Sequence, residues 1–188
     1  YADQNVAVGY LALSADTLGS KSTALGQGTL KVQNFTTATD SYNTAVGYAA
    51  GTAVTTGIQN TIVGGLGGDA LTEGNYNVVL GMGTLSADTL GSKTTAIGYH
   101  ALNAQNFTTA TDSFNTAVGY FAGDSVTTGT NNTIVGGLAG DALTDADFNV
   151  AVGRSALTDD TLGSKTVAVG YNALGSQNFT TATDTFNT

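Results

Sequence analysis

An all-β parallel solenoid is the fold class that the sequence predicts. Three observations predict it: a 72-residue period, a five-residue unit recurring within that period, and a glycine at the fifth place of every complete unit.

The long period is read from Ser14 to Lys21, Ser-Ala-Asp-Thr-Leu-Gly-Ser-Lys, which returns at Ser86 to Lys93 and in altered form at Thr158 to Lys165. The short unit reads Asn-Thr-Ala-Val-Gly at Asn43 to Gly47. Its copies begin at Asn5, Ser22, Asn43, Asn60, Asn77, Thr94, Asn115, Asn132, Asn149 and Thr166, and an eleventh opens at Asn187. The steps run 17, 21, 17 and 17 residues and then repeat, so each period is four coils, one of which carries four extra residues. Residues 1–188 are therefore read as one repetitive unit of about ten coils, a segment of a longer polymeric chain.

Each element of the unit has a physical reason. Position five is Gly in every complete copy, from Gly9 and Gly26 to Gly153 and Gly170, as expected for a bend that needs positive φ or close backbone approach. Position two is always Thr or Val and position four always Val, Leu or Ile, and these two share one strand face. Position three, always Ala, Ile or Val, lies on the other face. With both faces dry, one is expected to line the interior of the coil and the other to meet a partner chain. A lone 17-residue coil cannot offset an ordering entropy of roughly 1–2 kcal/mol per residue, so stacking and lateral association must supply the rest. A helical reading fails, because β-branched residues and Gly dominate and no 3.6-residue apolar stripe is sustained.

Composition excludes several function classes. The chain has 26 Gly, no Pro, no Cys, five Lys+Arg against 14 Asp+Glu, and a net charge of −9. A phosphate backbone needs clustered cations, so no nucleic-acid partner is expected. A membrane helix needs about 20 predominantly apolar residues, and the longest uncharged stretch, Ser41 to Gly68, is broken by Asn, Thr and Gln, so no membrane insertion is expected. Without Cys there are neither disulfides nor thiolate metal sites.

The units Val6-Ala7-Val8-Gly9 and Val150-Ala151-Val152-Gly153 resemble the head repeat of YadA-type trimeric autotransporter adhesins. The fuller form Asn43-Thr44-Ala45-Val46-Gly47-Tyr48-Ala49-Ala50-Gly51 resembles repeats of phage tail fibres and related bacterial surface fibres. That resemblance implies a left-handed β-roll wound as a homotrimer, in an extracellular, cell-surface or virion setting. The coils here are longer than the usual adhesin coil, and no adhesin ligand residue is matched by motif.

The candidate binding segments are those of the long coil: Lys31 to Tyr42, Asn103 to Phe114 and Gly175 to Phe186, each containing Asn-Phe-Thr-Thr-Ala-Thr-Asp. Extra length on a solenoid usually maps to a surface loop, often on the binding face. The candidate residues are Asn34, Phe35, Thr36, Thr37 and Asp40; Asn106, Phe107, Thr108, Thr109 and Asp112; and Asn178, Phe179, Thr180, Thr181 and Asp184. The competing reading is that these residues only widen the coil. Asn34, Asn106, Asn131 and Asn178 also head Asn-x-Thr sequons.

Other features are weighed as structural. The Asn column would stack in register as a ladder between coils. Tyr10, Tyr48, Tyr99, Tyr120 and Tyr171 follow the unit Gly, where corner packing competes with stacking against a glycan. Gly64 to Thr72 fits a calcium-binding nonapeptide, but the neighbouring units differ, and a Gly-rich corner explains it. His100 has no nucleophile or metal-ligand set repeated around it, so neither catalysis nor a cofactor is expected. The function expected is a stiff shaft presenting an attachment region. The alternatives are direct binding of a host-surface glycan or protein, binding of ice, or a calcium-dependent module.

Overall fold

A computed structural model describes residues 2–188, among which there is no helix. In chain order the strands are β1 (Val6–Val8), β2 (Gly19–Ser20), β3 (Thr23–Leu25), β4 (Thr39–Asp40), β5 (Thr44–Val46), β6 (Thr61–Val63), β7 (Val78–Leu80) and β8 (Gly91–Ser92). They continue as β9 (Thr95–Ile97), β10 (Thr111–Asp112), β11 (Thr116–Val118), β12 (Thr133–Val135), β13 (Val150–Val152), β14 (Gly163–Ser164), β15 (Val167–Val169) and β16 (Thr183–Asp184).

Positions two to four of every complete unit form a three-residue strand, and these ten strands make one parallel sheet in the order β1-β3-β5-β6-β7-β9-β11-β12-β13-β15. The register is position for position: Thr44, Ala45 and Val46 lie opposite Thr61, Ile62 and Val63, and Thr23, Ala24 and Leu25 lie opposite Thr44, Ala45 and Val46. The long coil thus adds its four residues without shifting the sheet. The chain is a parallel β-solenoid, as its repeat predicts.

The unit glycine meets both demands at once. Gly9 to Gly170 hold φ between +129° and +146°, a region open almost only to Gly. A Cβ on any of the first nine would also lie under 3.0 Å from the carbonyl oxygen of the next unit glycine. Close backbone stacking at this corner is what excludes a side chain.

Left-handed backbone is not confined to glycine. The residue before each unit, from Gln4, Lys21 and Tyr42 to Lys165 and Phe186, has φ between +50° and +62°. Such a residue costs roughly 1–2 kcal/mol. The corner persists because coil-to-coil hydrogen bonds hold it, as in Lys21 N–H to Asp3 O (3.1 Å) and Gln59 N–H to Ser41 O (2.7 Å).

The core is a single column of side chains inside the coils. Position three supplies Ala24, Ala45, Ile62, Val79 and their later counterparts, all fully buried from Ala24 to Ala151. Large and small residues alternate with the period: Leu30, Leu85 and Leu102 are buried where Gly51, Gly68 and Gly123 stand at the same place in neighbouring coils. A Cβ on Gly51 would be 2.9 Å from Ile62 Cδ1 and 3.2 Å from Leu30 Cδ2, so those side chains fill the volume that Gly51 leaves.

Candidate functional site

Two surfaces stand out: the insertion coils and the outward face of the ten-stranded sheet. The long coil does not simply swing a loop into solvent. Its extra residues form β4, β10 and β16, which pair in parallel with β2, β8 and β14 of the preceding coil. Phe35 and Phe107 turn inward, 6 % and 5 % exposed, and Phe179 is half-buried. The outer surface is left to Asn34, Thr36, Thr37, Asp40, Thr108, Thr109, Asp112, Asn178, Thr180, Thr181 and Asp184, all exposed, with Asn106 half-buried. The segment therefore widens the coil through its aromatic residue and presents a short Thr-rich ridge.

Each ridge is clamped from the preceding coil. Lys21, Lys93 and Lys165 pair with Asp40, Asp112 and Asp184 at 2.5–2.6 Å. The same ammonium groups lie 5.0–5.1 Å from the ring centres of Tyr42, Phe114 and Phe186. Hydrogen bonds from Lys21 to Asp40 and Tyr42 raise the Lys21 pKa above the ordinary lysine range.

Inside the long coil lies a polar network that the sequence reading did not identify. Gln105 donates from Nε2 to Asp88 Oδ2 (2.7 Å) and Thr94 Oγ1 (3.2 Å), and its Oε1 accepts from Asn115 Nδ2 (2.8 Å). Asp88 Oδ1 accepts from Gly91 N–H (3.0 Å) and Phe107 N–H (3.1 Å). Asp16 with Gln33 and Asp160 with Gln177 repeat the central bond at 2.6 Å. Burial pushes the Asp88 carboxyl above the ordinary range, opposed by these hydrogen bonds. The signal was present in the eleventh residue after each unit start, which reads Asp16, Gln33, Val54, Leu71, Asp88, Gln105, Val126, Leu143, Asp160, Gln177.

The Asn column continues that network. Asn60, Asn77, Asn132 and Asn149 are buried, as are Asn43 and Asn115. Among the described residues, no Asn amide of the column bonds to another Asn amide. The coils are bridged through the backbone, as where Asn43 Oδ1 accepts from Asn60 N–H (2.9 Å) and Asn43 Nδ2 donates to Gly57 O (2.7 Å), and Asn43 and Asn115 also donate to the Gln33 and Gln105 amide oxygens. At the long coil, where Ser22, Thr94 and Thr166 replace Asn, the Gln amide fills the gap.

The outward face of the ten-stranded sheet is uncharged, with Thr at position two in six coils and Val in four, and with Val, Leu or Ile at position four in all ten. Positions two and four bear no charged residue in any coil, and Leu80 and Val169 are 45 % and 67 % exposed. Tyr42, Tyr76, Phe114 and Phe148 are exposed just before the strands, and Tyr10, Tyr48, Tyr99, Tyr120 and Tyr171 just after. Corner packing within one chain therefore does not bury these tyrosines. Parallel sheets are ordinarily covered on both faces, which makes a bare one unusual.

His100 sits among rings, stacked on Tyr99 at 4.2 Å and tilted against Phe121 at 5.3 Å. Gly64 to Thr72 forms the corner after β6, with Gly64 at φ +141° and Gly68 at +49°. Asp69 Oδ1 in that corner is buried without a hydrogen-bond partner, and burial raises its pKa. Near the last long coil, a cleft of about 670 Å³ is lined by Asp145, Asp147, Leu162, Ser164, Ala182, Thr183 and Asp184. Hydroxyls of Thr127 and Thr128 hold the Asp145 carboxyl below its usual range. No family model matches the chain, and no curated protein or solved structure was found to match it.

Proposed function

We propose that this chain is a stretch of fibre shaft that associates with copies of itself, as a parallel homotrimer, and holds an attachment region away from a virion or cell surface. One observation carries the reading: a ten-stranded parallel sheet turns outward an uncharged face with an unbroken aliphatic column at position four along the whole segment. Burying apolar area stabilises by about 25 cal/mol per Å², so a face repeated on every coil gives an association energy that grows with length. The same repetition supplies stiffness, since each coil bonds to its neighbours through the sheet, the Asn column and the unit glycines. In this reading the role is structural and not catalytic, the setting is extracellular, and the Thr-rich ridges are the side-on contacts for a host-surface glycan or protein.

The test is to place charge on the face. Replacing Leu80, Ile97 and Val118 together with Lys should yield folded single chains with unchanged β-sheet circular dichroism. An unmodified chain that is already monomeric, or a triple variant that associates as before, would remove the basis for the proposal.

A further inference from the structure

The position just after the unit glycine holds a site that the repeat does not require. Gly137 stands there in the coil of β12, between Tyr120 in the coil of β11 and Arg154 in the coil of β13. The unit glycines are forced by backbone geometry, but Gly137 is not. Its φ lies outside the positive range, and a Cβ there would meet nothing closer than the Tyr120 carbonyl oxygen at 3.8 Å. A side chain could stand at this place, and its absence leaves a notch one coil deep.

The walls of the notch are chemically distinct. Tyr120 is 58 % exposed, and one side of its ring is covered by Tyr99, stacked at 5.6 Å and 14°. The Phe121 ring also packs against it, at 4.5 Å and 76°, and the next coil along the stack carries Gly137 at this place. The opposite wall is Arg154, the one arginine in a chain of net charge −9. It makes no ion pair among the described residues, and its guanidinium rests 5.9 Å from the ring centre of Tyr171 on the side away from the notch. Two strand spacings separate the walls by about 9.6 Å. That is the room taken by one saturated six-membered ring in contact, at ~4–4.5 Å, with each wall.

We propose that this notch binds a carboxylated pyranose residue of an acidic polysaccharide, its ring stacked on Tyr120 and its carboxylate paired with Arg154. An aromatic face meets the C–H face of a sugar, and a planar guanidinium fits a carboxylate through two parallel hydrogen bonds. The corresponding notch 72 residues earlier, at Gly65, has Tyr48 on one side but Met82 on the other, so it lacks the cation. That copy serves as an internal control. The site depends on neither the trimer nor the Thr-rich ridges.

The test titrates the full chain with a galacturonic acid tetramer and, separately, with a neutral galactose tetramer. The acidic tetramer should bind and the neutral one should bind at least about tenfold more weakly. Arg154→Gln and Gly137→Leu should each lower affinity for the acidic tetramer about tenfold or more, whereas Gly65→Leu should leave it unchanged. All three variants should keep the wild-type melting temperature, because both glycines have room for a side chain. Equal binding of the two tetramers, or retained affinity in Arg154→Gln and Gly137→Leu, would overturn the proposal. So would a change of oligomeric mass in Gly137→Leu, which would assign the notch to a second copy of the chain.

Discussion

Adjacent glycines should respond in opposite ways to the same substitution. Gly64 is a unit glycine with φ +141°, and a Cβ on it would lie under 3.0 Å from the Gly81 carbonyl oxygen. Gly65 has no positive φ, and its nearest neighbour to a Cβ is the Tyr48 carbonyl oxygen at 3.9 Å. Gly64→Ala therefore combines backbone strain of about 1–3 kcal/mol with a clash that opens the stack between two coils, for a total of about 3–5 kcal/mol. For a chain of this size a loss of 1 kcal/mol lowers Tm by roughly 2–4 °C, so the expected fall is about 6–20 °C. Because repeat arrays can unfold in parts, hydrogen exchange should show the loss concentrated in the coils of β6 and β7. Gly65→Ala should stay within about 0.5 kcal/mol of the unmodified chain. Equal melting of the two variants would refute the claim that close approach at the unit glycine sets the stacking.

The core and the insertion coil offer further tests. Gly51→Ala should destabilise by about 1–3 kcal/mol, and Ile62→Val, which removes the Cδ1 atom 2.9 Å from the new Cβ, should recover part of that loss in a double-mutant cycle. Asp88→Asn should melt lower at every pH, because its amide nitrogen would face the Gln105 donor and about 1–3 kcal/mol of hydrogen bonding is lost. Its pH slope should change as well. Burial raises the folded pKa of Asp88 above the ordinary 3.8, so its stabilising effect is complete below that value and fades as pH rises through the folded one. The Asn variant should flatten this decline, as thermal melts from about pH 4 to pH 7 can show. Phe107→Ala should cost about 3–5 kcal/mol in chemical denaturation, since the ring is buried, whereas Thr109→Ala on the exposed ridge should change stability by less than about 0.5 kcal/mol.

Most of the architecture was legible because it rests on strict periodicity. Gly9 to Gly170 announce a corner that only glycine can turn, and Ala45 between Thr44 and Val46 announces a strand with two dry faces. The left-handed backbone at Lys21, Tyr42 and Phe114 was not legible, since none of these residues favours that conformation and only the stacked hydrogen bonds impose it. The insertion coil was legible as extra length but not in its orientation. Phe35 and Phe107 point inward because Asp16 and Asp88, with Gln33 and Gln105, occupy the core place that Val54 and Leu71 fill elsewhere. A period of one coil hides that exchange, and a period of four coils displays it. The notch at Gly137 was invisible for a related reason, because a glycine that the backbone needs and one that it does not need are the same letter.

The mass of the unmodified chain in solution tests the central claim most directly. Light scattering across a dilution series should report three chains of 18.8 kDa moving as one particle, unchanged by chelator and by moderate salt, since the outward face carries no charge. A stable, soluble single chain at every concentration would contradict the account, because the aliphatic column at position four of the ten-stranded sheet would then remain bare in water.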